Sequence, residues 1–186
     1  MSACKKTRRC RIIPGPTGPT GSAGLDGEAG ATGAAGATGA TGAGEIATLG
    51  ARVVGPAVTI PDATITPIPF DAERYDIGDL FDPAEPTRLT APETGLYLIT
   101  GHVSWEANPG GSRELGIRTN GVSVVASTSQ DPVSVDLTTT DQSIATVVQL
   151  TAGQYAELIV RQVTDGDLDV LATSQYSPEF TMTRIG

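Results

Sequence analysis

The sequence predicts an all-β head of the two-sheet jelly-roll type, carried on a collagen-like stalk. Two observations predict it. Glycine occupies every third position without a slip between residues 15 and 42. From residue 51 onward, short runs of β-branched and apolar residues alternate with turn signals, and no ten-residue helical pattern occurs. We divide the chain into a basic arm (1–14), a stalk (15–44), a junction (45–50) and a head (51–186).

The arm differs in charge from the rest of the chain. Five of the 12 basic residues lie in residues 1–14, which contain no acid, so the remainder has seven basic residues against 21 acidic ones. The arm could contact an anionic surface, a nucleic acid or an acidic docking partner, or it could be a solvated tail. We expect it to bind an anchoring protein. The acidic head argues against nucleic-acid binding by that domain.

Both cysteines, Cys4 and Cys10, lie in the arm. A disulfide framework within the head is therefore excluded. Cysteines just before a three-chain rod could form an interchain disulfide, and two free thiols in a tail explain them equally well.

The chain contains no sequence pattern for crossing or entering a membrane. No run approaches the roughly 18 consecutive apolar residues of a spanning helix. The stretch RCRIIPGP is not the apolar core of a secretory signal. We therefore expect no membrane span and no signal peptide, which favours particles that assemble inside a cell and are released by lysis.

The stalk has the Gly-X-Y period of the collagen triple helix, in which only glycine fits at the crowded axis. Thirty residues at a rise of about 3.1 Å per residue give a rod about 90 Å long. Pro16 and Pro19 occupy X positions, but no proline occupies a Y position. We therefore expect a weak rod that depends on the head to bring three chains together, with a flexible glycine-rich linker as the alternative. The predicted axial glycines are Gly15, Gly18, Gly21, Gly24, Gly27, Gly30, Gly33, Gly36, Gly39 and Gly42.

The head contains ten candidate strands. In YAELIVRQV, Ala156, Leu158 and Val160 share one face and the residues between them share the other, which is typical of a strand with one face in a core. Turn signals separate the runs, among them NPGG at 108–111 and Asn120-Gly121. Many short strands predict a sandwich or barrel. The candidates are residues 57–61, 65–70, 87–91, 95–105, 113–121, 122–128, 142–150, 155–163, 168–173 and 179–185.

Four stretches make the head resemble the C1q-like domain. They are IPFDAERYD, FDPAEPTRLTAPETGLYLITGHVSW, QLTAGQYAELIV and YSPEFTMTRIG, which together cover most of residues 57–186. The resemblance implies a jelly roll related to the tumour necrosis factor fold. It also implies a homotrimer that commonly follows a Gly-X-Y stalk, and some relatives bind calcium at the trimer apex.

The residues give little sign of catalysis. His102 is the single histidine, and Ser104, two residues away on the same strand face, does not make a catalytic triad. Asp165, Asp167 and Asp169 could suggest calcium, but the stretch lacks the glycine and distal glutamate of an EF-hand loop, so a turn is favoured. We expect no enzyme and no cofactor, with calcium at the trimer apex as the one open site.

Recognition is expected in loops. We place candidate ligand contacts at Trp105 and Asn108 around the loop 106–112, and at Asp131 and Asp141 in the segment 128–142. Alternatively, these loops only cap the sandwich.

The sequence predicts a trimeric fibre or appendage that binds a surface receptor or glycan. The chain has two lysines and ten arginines, which hints at a GC-rich genome. A GC-rich genome disfavours the AT-rich spore formers that carry such filaments, and a phage virion is therefore favoured. The alternatives are an adhesive filament of a spore coat or bacterial cell surface, and a soluble secreted C1q-like recognition protein.

Overall fold

The computed structural model describes residues 14–31, 49–132, 138–173 and 176–186. Residues 14–31 belong to the first of two units, Met1–Ala40, and the strands belong to the second, Thr41–Gly186. Residues 14–31 are exposed and have no regular secondary structure. At each stalk glycine from Gly15 to Gly30, the position of a Cβ atom is open space. The predicted positions Cys4, Cys10, Gly33, Gly36, Gly39 and Gly42 lie outside the described residues, and the triple helix stays a prediction.

Within the described part of Thr41–Gly186, the chain forms twelve strands and no helix. The strands are β1 (Gly50–Val54), β2 (Val58–Ile60), β3 (Thr66–Pro67), β4 (Ala72–Ile77), β5 (Arg88–Thr90), β6 (Gly95–Trp105), β7 (Ser112–Thr119), β8 (Ser123–Gln130), β9 (Thr140–Leu150), β10 (Tyr155–Val163), β11 (Leu168–Val170) and β12 (Glu179–Arg184).

The strands form two antiparallel sheets. Sheet A has the order β2-β11-β6-β12-β1-β4, and β9 also pairs with β6. Sheet B has the order β3-β10-β7-β8, and β5 also pairs with β10. The all-β two-sheet sandwich that the sequence predicts is confirmed.

The core lies between the two sheets because alternate residues of each strand point inward. On β6, Tyr97, Ile99 and Val103 have no exposed surface. On sheet B, Leu115 and Leu158 are equally buried. The side chains that face the other way from sheet A are consequently left on its outer face.

The sandwich has two ends, which the strand directions define. We call the end where β1 begins and β12 stops the base; there the Arg184 amide donates to the Leu49 carbonyl. We call the end where β6 stops the distal end. Residues 106–111 and 164–167 connect strands there.

Two of the predicted turns are present, and each contains at least one residue with a positive φ. Asn120 and Gly121 have φ values of 52° and 70° and close the β7–β8 hairpin, as a type I′ turn requires. Gly111 also has a positive φ, and a Cβ there would lie 1.5 Å from the Val163 carbonyl oxygen. No side chain fits at that position, so the NPGG signal marks a true constraint.

Two strands were not among the ten candidates. β1 (GARVV) was missed because it begins at Gly50, the last residue of the predicted junction, and its glycine and arginine interrupt the apolar run. β4 (AERYDI) is an edge strand whose residues are nearly all exposed, so it lacks the apolar alternation by which a half-buried strand is recognised.

Candidate functional site

The outer face of sheet A is exposed in the single chain, and cross-strand pairing arranges its side chains in rows. One row runs Ile77, Gly50, Thr183, Leu98 and Val147 across β4, β1, β12, β6 and β9. The next row toward the distal end runs Tyr75, Arg52, Thr181, Thr100 and Ala145. Directly paired residues share one face of a sheet, so these rows make a continuous surface.

The rows nearest the base carry large, exposed apolar side chains. Leu98 is 38% exposed and its partner Val147 is 53% exposed. Leu96 lies one row closer to the base, where its carbonyl accepts from the Ile185 amide. Ile77 and Tyr75 extend the apolar surface to β4, and both are at least two-fifths exposed. Large apolar side chains gathered in this way mark an interaction surface.

The rows nearest the distal end are polar and centre on His102. Its Nδ1 lies 3.1 Å from Ser143 Oγ, and its Nε2 lies 3.3 Å from Ser104 Oγ. Ser104 donates its hydroxyl proton to Asp141 at 2.5 Å. The Ser104 oxygen is then free to accept from Nε2–H, which leaves Nδ1 as an acceptor for the Ser143 hydroxyl.

A shallow depression of about 370 Å³ adjoins His102 on this face. Small side chains such as Thr100 and Ala145 form its floor, and Glu179 lines one side. Arg52 donates to Glu179 at 2.6 Å from the neighbouring strand. Asp141 has no basic partner among the ion pairs of the described residues.

At the distal end, the side chain of Arg113 is hydrogen-bonded to the loop 106–111. It is fully buried, and its guanidinium donates to the Asn108 and Gly110 carbonyls at 2.6 and 2.9 Å. Burial lowers the pKa of Arg113 below its ordinary value. Gln142 connects this site to the core, since it donates to the Arg113 carbonyl and accepts from the Trp105 indole. The loop is therefore fixed by a buried polar network.

The structure places two of the four candidate ligand residues in strands rather than in loops. Trp105 has no exposed surface and ends β6 inside the core, so it cannot contact a ligand from a loop. Asp141 lies within β9, because that strand begins at Thr140 and β8 runs to Gln130. It is exposed, but on the outer face of sheet A beside Ser104.

The other two candidates lie in distal connections. Asn108 is in the loop 106–111, where its side chain accepts from the Gly110 amide. Asp131 is exposed at the end of β8. Residues 133–137 of the predicted segment lie outside the described residues. Sequence reasoning missed Arg113 and Gln142, since nothing in the local pattern distinguishes a buried arginine from an exposed one.

The aspartates of the D-x-D-x-D stretch lie in and beside a turn at the distal end. The Asp62 carboxylate accepts from the amides of Thr164 and Asp165 and holds this turn. Over the described ranges, no group of three histidine, cysteine or acidic residues could hold a metal ion. Those same ranges include no helix that is long and apolar enough to cross a membrane.

Comparisons with known proteins show the fold alone. No protein-family model matches the chain, and no curated protein is similar to it. Among solved structures, Eiger TNF from S. frugiperda is similar with a TM-score of 0.57 and 12% identity, over 75% of this chain and 93% of that chain. Murine APRIL has the same TM-score at 11% identity, over 74% of this chain and 99% of that chain. The second unit of the chain thus has a TNF-like jelly-roll fold.

Proposed function

We propose that this protein is a non-enzymatic trimeric fibre or appendage, in which three heads associate through the outer face of sheet A. The stalk joins them as a collagen-like rod, and the distal end meets a surface receptor or glycan. The arm holds the fibre to an anchoring protein.

The observation that carries this proposal is the position of the exposed apolar side chains. Leu96, Leu98, Val147, Tyr75 and Ile77 come from three strands that are distant in sequence, yet they share one face. Burying the exposed half of such side chains contributes roughly 1 kcal/mol each. A second copy of this chain is the occupant that we propose, because the Gly-X-Y period itself requires three chains.

The gradient along this face supports a parallel arrangement. Its apolar rows lie toward the base and its polar rows around His102 lie toward the distal end. When copies are related by a rotation axis parallel to the strands, the apolar rows of one copy contact the apolar rows of the next. Copies arranged head to tail would instead bury carboxylates against leucines. A cyclic trimer also places all three chains side by side for a common rod.

Ligand binding is assigned to the distal loops, where Asn108 and Asp131 remain candidates. Three copies on one rod strengthen a weak contact, because the second and third contacts are intramolecular. Calcium at the trimer apex stays a minor part of the proposal.

No catalytic role is assigned to His102. Acyl transfer needs oxyanion donors near the nucleophile, and β6 is paired on both sides at His102, with Glu179 and Ser143 opposite it. Its hydrogen bonds to two serines fix the ring without supplying those donors.

We propose a phage virion as the setting, with a spore-coat or bacterial cell-surface filament as the alternative and a soluble secreted C1q-like protein as the second. The presence of ten arginines and only two lysines supports the phage virion. Immunogold labelling of purified virions and of spores with antibody to the head distinguishes these settings.

The solution mass of the full chain, measured by light scattering, tests the assembly. Three times the chain mass of 19.0 kDa is expected. A single chain mass at all concentrations would overturn the proposed trimer, and the glycine repeat would then be a tether.

A further inference from the structure

One edge of sheet A is open to a partner strand. β4 pairs with β1 on one side and, among the described residues, with no strand on its other side. Five of its six residues are exposed. An edge strand of this kind leaves a row of backbone N–H and C=O groups unpaired, and an extended segment of another chain can pair with them. The backbone of β4 therefore offers a place for one more strand.

This edge also carries a large negative charge. Residues 71–85, which contain β4 and the segment that follows it, have six acids and one arginine. Four of these acids are exposed and form no ion pair within the described part of the chain, namely Asp71, Glu73, Asp79 and Asp82. Asp76 differs from them, because its carboxylate accepts hydrogen bonds from two backbone amides. A charge of one sign opposes pairing with a second acidic edge and favours a basic strand.

We propose that the free edge of β4 binds the basic arm, residues 1–14, of another copy of this chain as an added strand. This inference rests on the anchoring role proposed for the arm, and it names the head of a second copy as the anchoring partner. The arm has five basic residues and no acid, which matches the excess of five acids in residues 71–85. A rod of about 90 Å would hold the arm away from its own head, so the partner belongs to another fibre.

The two faces of β4 differ in character. Tyr75 and Ile77 lie on the outer face of sheet A, in the rows described above. Glu73 lies opposite Val53, which has no exposed surface, so its side chain is on the face that is turned toward sheet B. β4 thus presents an acid on one face and apolar side chains on the other.

The sequence of the arm has a matching alternation. In an extended segment Arg9 and Arg11 share one face, and Cys10 and Ile12 share the other. When the arginines lie on the side of Glu73, the apolar pair lies beside the tyrosine and isoleucine of β4. An added strand lies next to β4 in the plane of sheet A, so it leaves the outer face free for the association of heads.

A labelled arm peptide provides the first test. The peptide has residues 1–14 with serine at both cysteine positions, and it is titrated with the full chain while its fluorescence anisotropy is measured. We expect binding in about 0.05 M salt that becomes at least about tenfold weaker in about 0.5 M salt, because exposed charges are screened. No binding at the lower salt concentration would overturn the inference.

A second peptide separates an added strand from attraction between charges alone. It carries Thr7→Pro and Cys10→Pro, which keep all five basic residues but remove two backbone N–H donors. We expect it to bind at least about tenfold more weakly than the first peptide, because hydrogen bonds to the edge are lost. Equal binding of the two peptides would show that the arm does not add to the sheet, and the inference would fail.

Charge reversal in the full chain locates the site. Glu73→Lys combined with Asp79→Lys should weaken binding of the first peptide at least about tenfold, because two attractive charges become repulsive. The matched control is Glu106→Lys combined with Asp167→Lys, which makes the same change in net charge at two exposed acids of the distal end. The control should bind the peptide as wild type does. An equal loss in both variants would mean a general attraction to the acidic head, which contradicts a site at β4.

Sedimentation of the full chain keeps this inference apart from the proposed trimer. In about 0.5 M salt the arm is released, and a mass of three chains then tests the trimer by itself. In about 0.05 M salt we expect larger assemblies, because arm-to-head contacts between fibres do not close on themselves. A trimer that associates no further at low salt would overturn the inference alone. A single chain at high salt would overturn the trimer, while the peptide titration still decides the contact between the arm and β4.

Discussion

Leu98 of β6 lies directly opposite Val147 of β9, and both side chains point away from the core. Their sequence neighbours Tyr97 and Val148 form the next pair, and Tyr97 has no exposed surface. The sheet thus separates two apolar layers, one covered by sheet B and one left uncovered in the single chain. This uncovered pair is the centre of the surface that we assign to association.

Leu98→Asp should convert the trimer into monomers. Three carboxylates would enter an apolar interface, and each copy would lose the roughly 1 kcal/mol that burying the exposed part of Leu98 contributes. The measurement is the solution mass, expected to fall from three chains to one. Val124→Asp is the matched control, since Val124 is 52% exposed on β8 of the other sheet. If both variants stay trimeric and folded, the face is not the interface.

The fold could largely be predicted because its central strands carry strong local signals. β6 and β10 were predicted to their last residue, since long alternation bounded by Gly and by turn residues leaves little freedom. β4 could not be predicted, because an exposed edge strand such as AERYDI stabilises itself by backbone pairing with β1 rather than by an apolar face. The pairing of β4 with β1 joins residues about 20 positions or more apart, so a short stretch of sequence does not reveal it.

The candidate site could be predicted only in part, for a different reason. Loop residues such as Asn108 were found from turn chemistry, but Trp105 was placed in the wrong environment by one residue. That single position decides whether the indole ends a buried strand or begins a loop. The partnership of His102 with Ser143 joins residues 41 positions apart, so it depends on the β6–β9 register and is invisible in either strand alone.

Gly24→Val should weaken the stalk. In a triple helix each axial glycine is packed against two other chains, and a side chain there disrupts the helix locally. We expect the circular dichroism signal of the triple helix to melt at a lower temperature, while the head stays trimeric. Ala23→Val at the preceding Y position is the control and should melt as wild type does. Equal melting of both variants would indicate a flexible tether.

Tyr97 should make the head sensitive to alkali. Burial raises the pKa of Tyr97 above 10.0, and this outweighs the nearby charge of Arg184, which lowers it. A raised pKa means that the unfolded phenol ionises first, so its stabilisation is full below pH 10 and is lost as the pH rises through the folded pKa.

Tyr97→Phe tests this sign. Urea unfolding below pH 9 should show a loss of about 1 kcal/mol, because the 2.6 Å hydrogen bond to Glu93 is removed. The further decline in stability above pH 10 should be shallower than in wild type. Tyr75→Phe, at a 41% exposed position, should keep the wild-type decline, and a shared decline in all three proteins would exclude Tyr97 as its source.

Arg113 and Arg118 should respond differently to replacement by methionine, although both extend from β7. Arg118 pairs at 2.9 Å with Glu157, whose residue surface is 7% exposed. Arg118→Met leaves that carboxylate buried without a partner, and the cost should be about 3–5 kcal/mol of unfolding free energy. The guanidinium of Arg113 donates to backbone carbonyls. Its removal therefore leaves no buried charge without a partner.

Arg113→Met should therefore act on the loop rather than on the fold. Removing a buried charge offsets the lost hydrogen bonds, and we expect global unfolding to change by less than about 2 kcal/mol. The carbonyls of Asn108 and Gly110 lose their donors, however, so the loop 106–111 should open more often. Hydrogen exchange should show the Gly110 amide exchanging at least about tenfold faster, equivalent to 1.4 kcal/mol of local opening, with β7 unchanged. Uniformly faster exchange across β7 would show that Arg113 supports the whole strand, and an unchanged Gly110 would show that the Asn108 side chain alone fixes the loop.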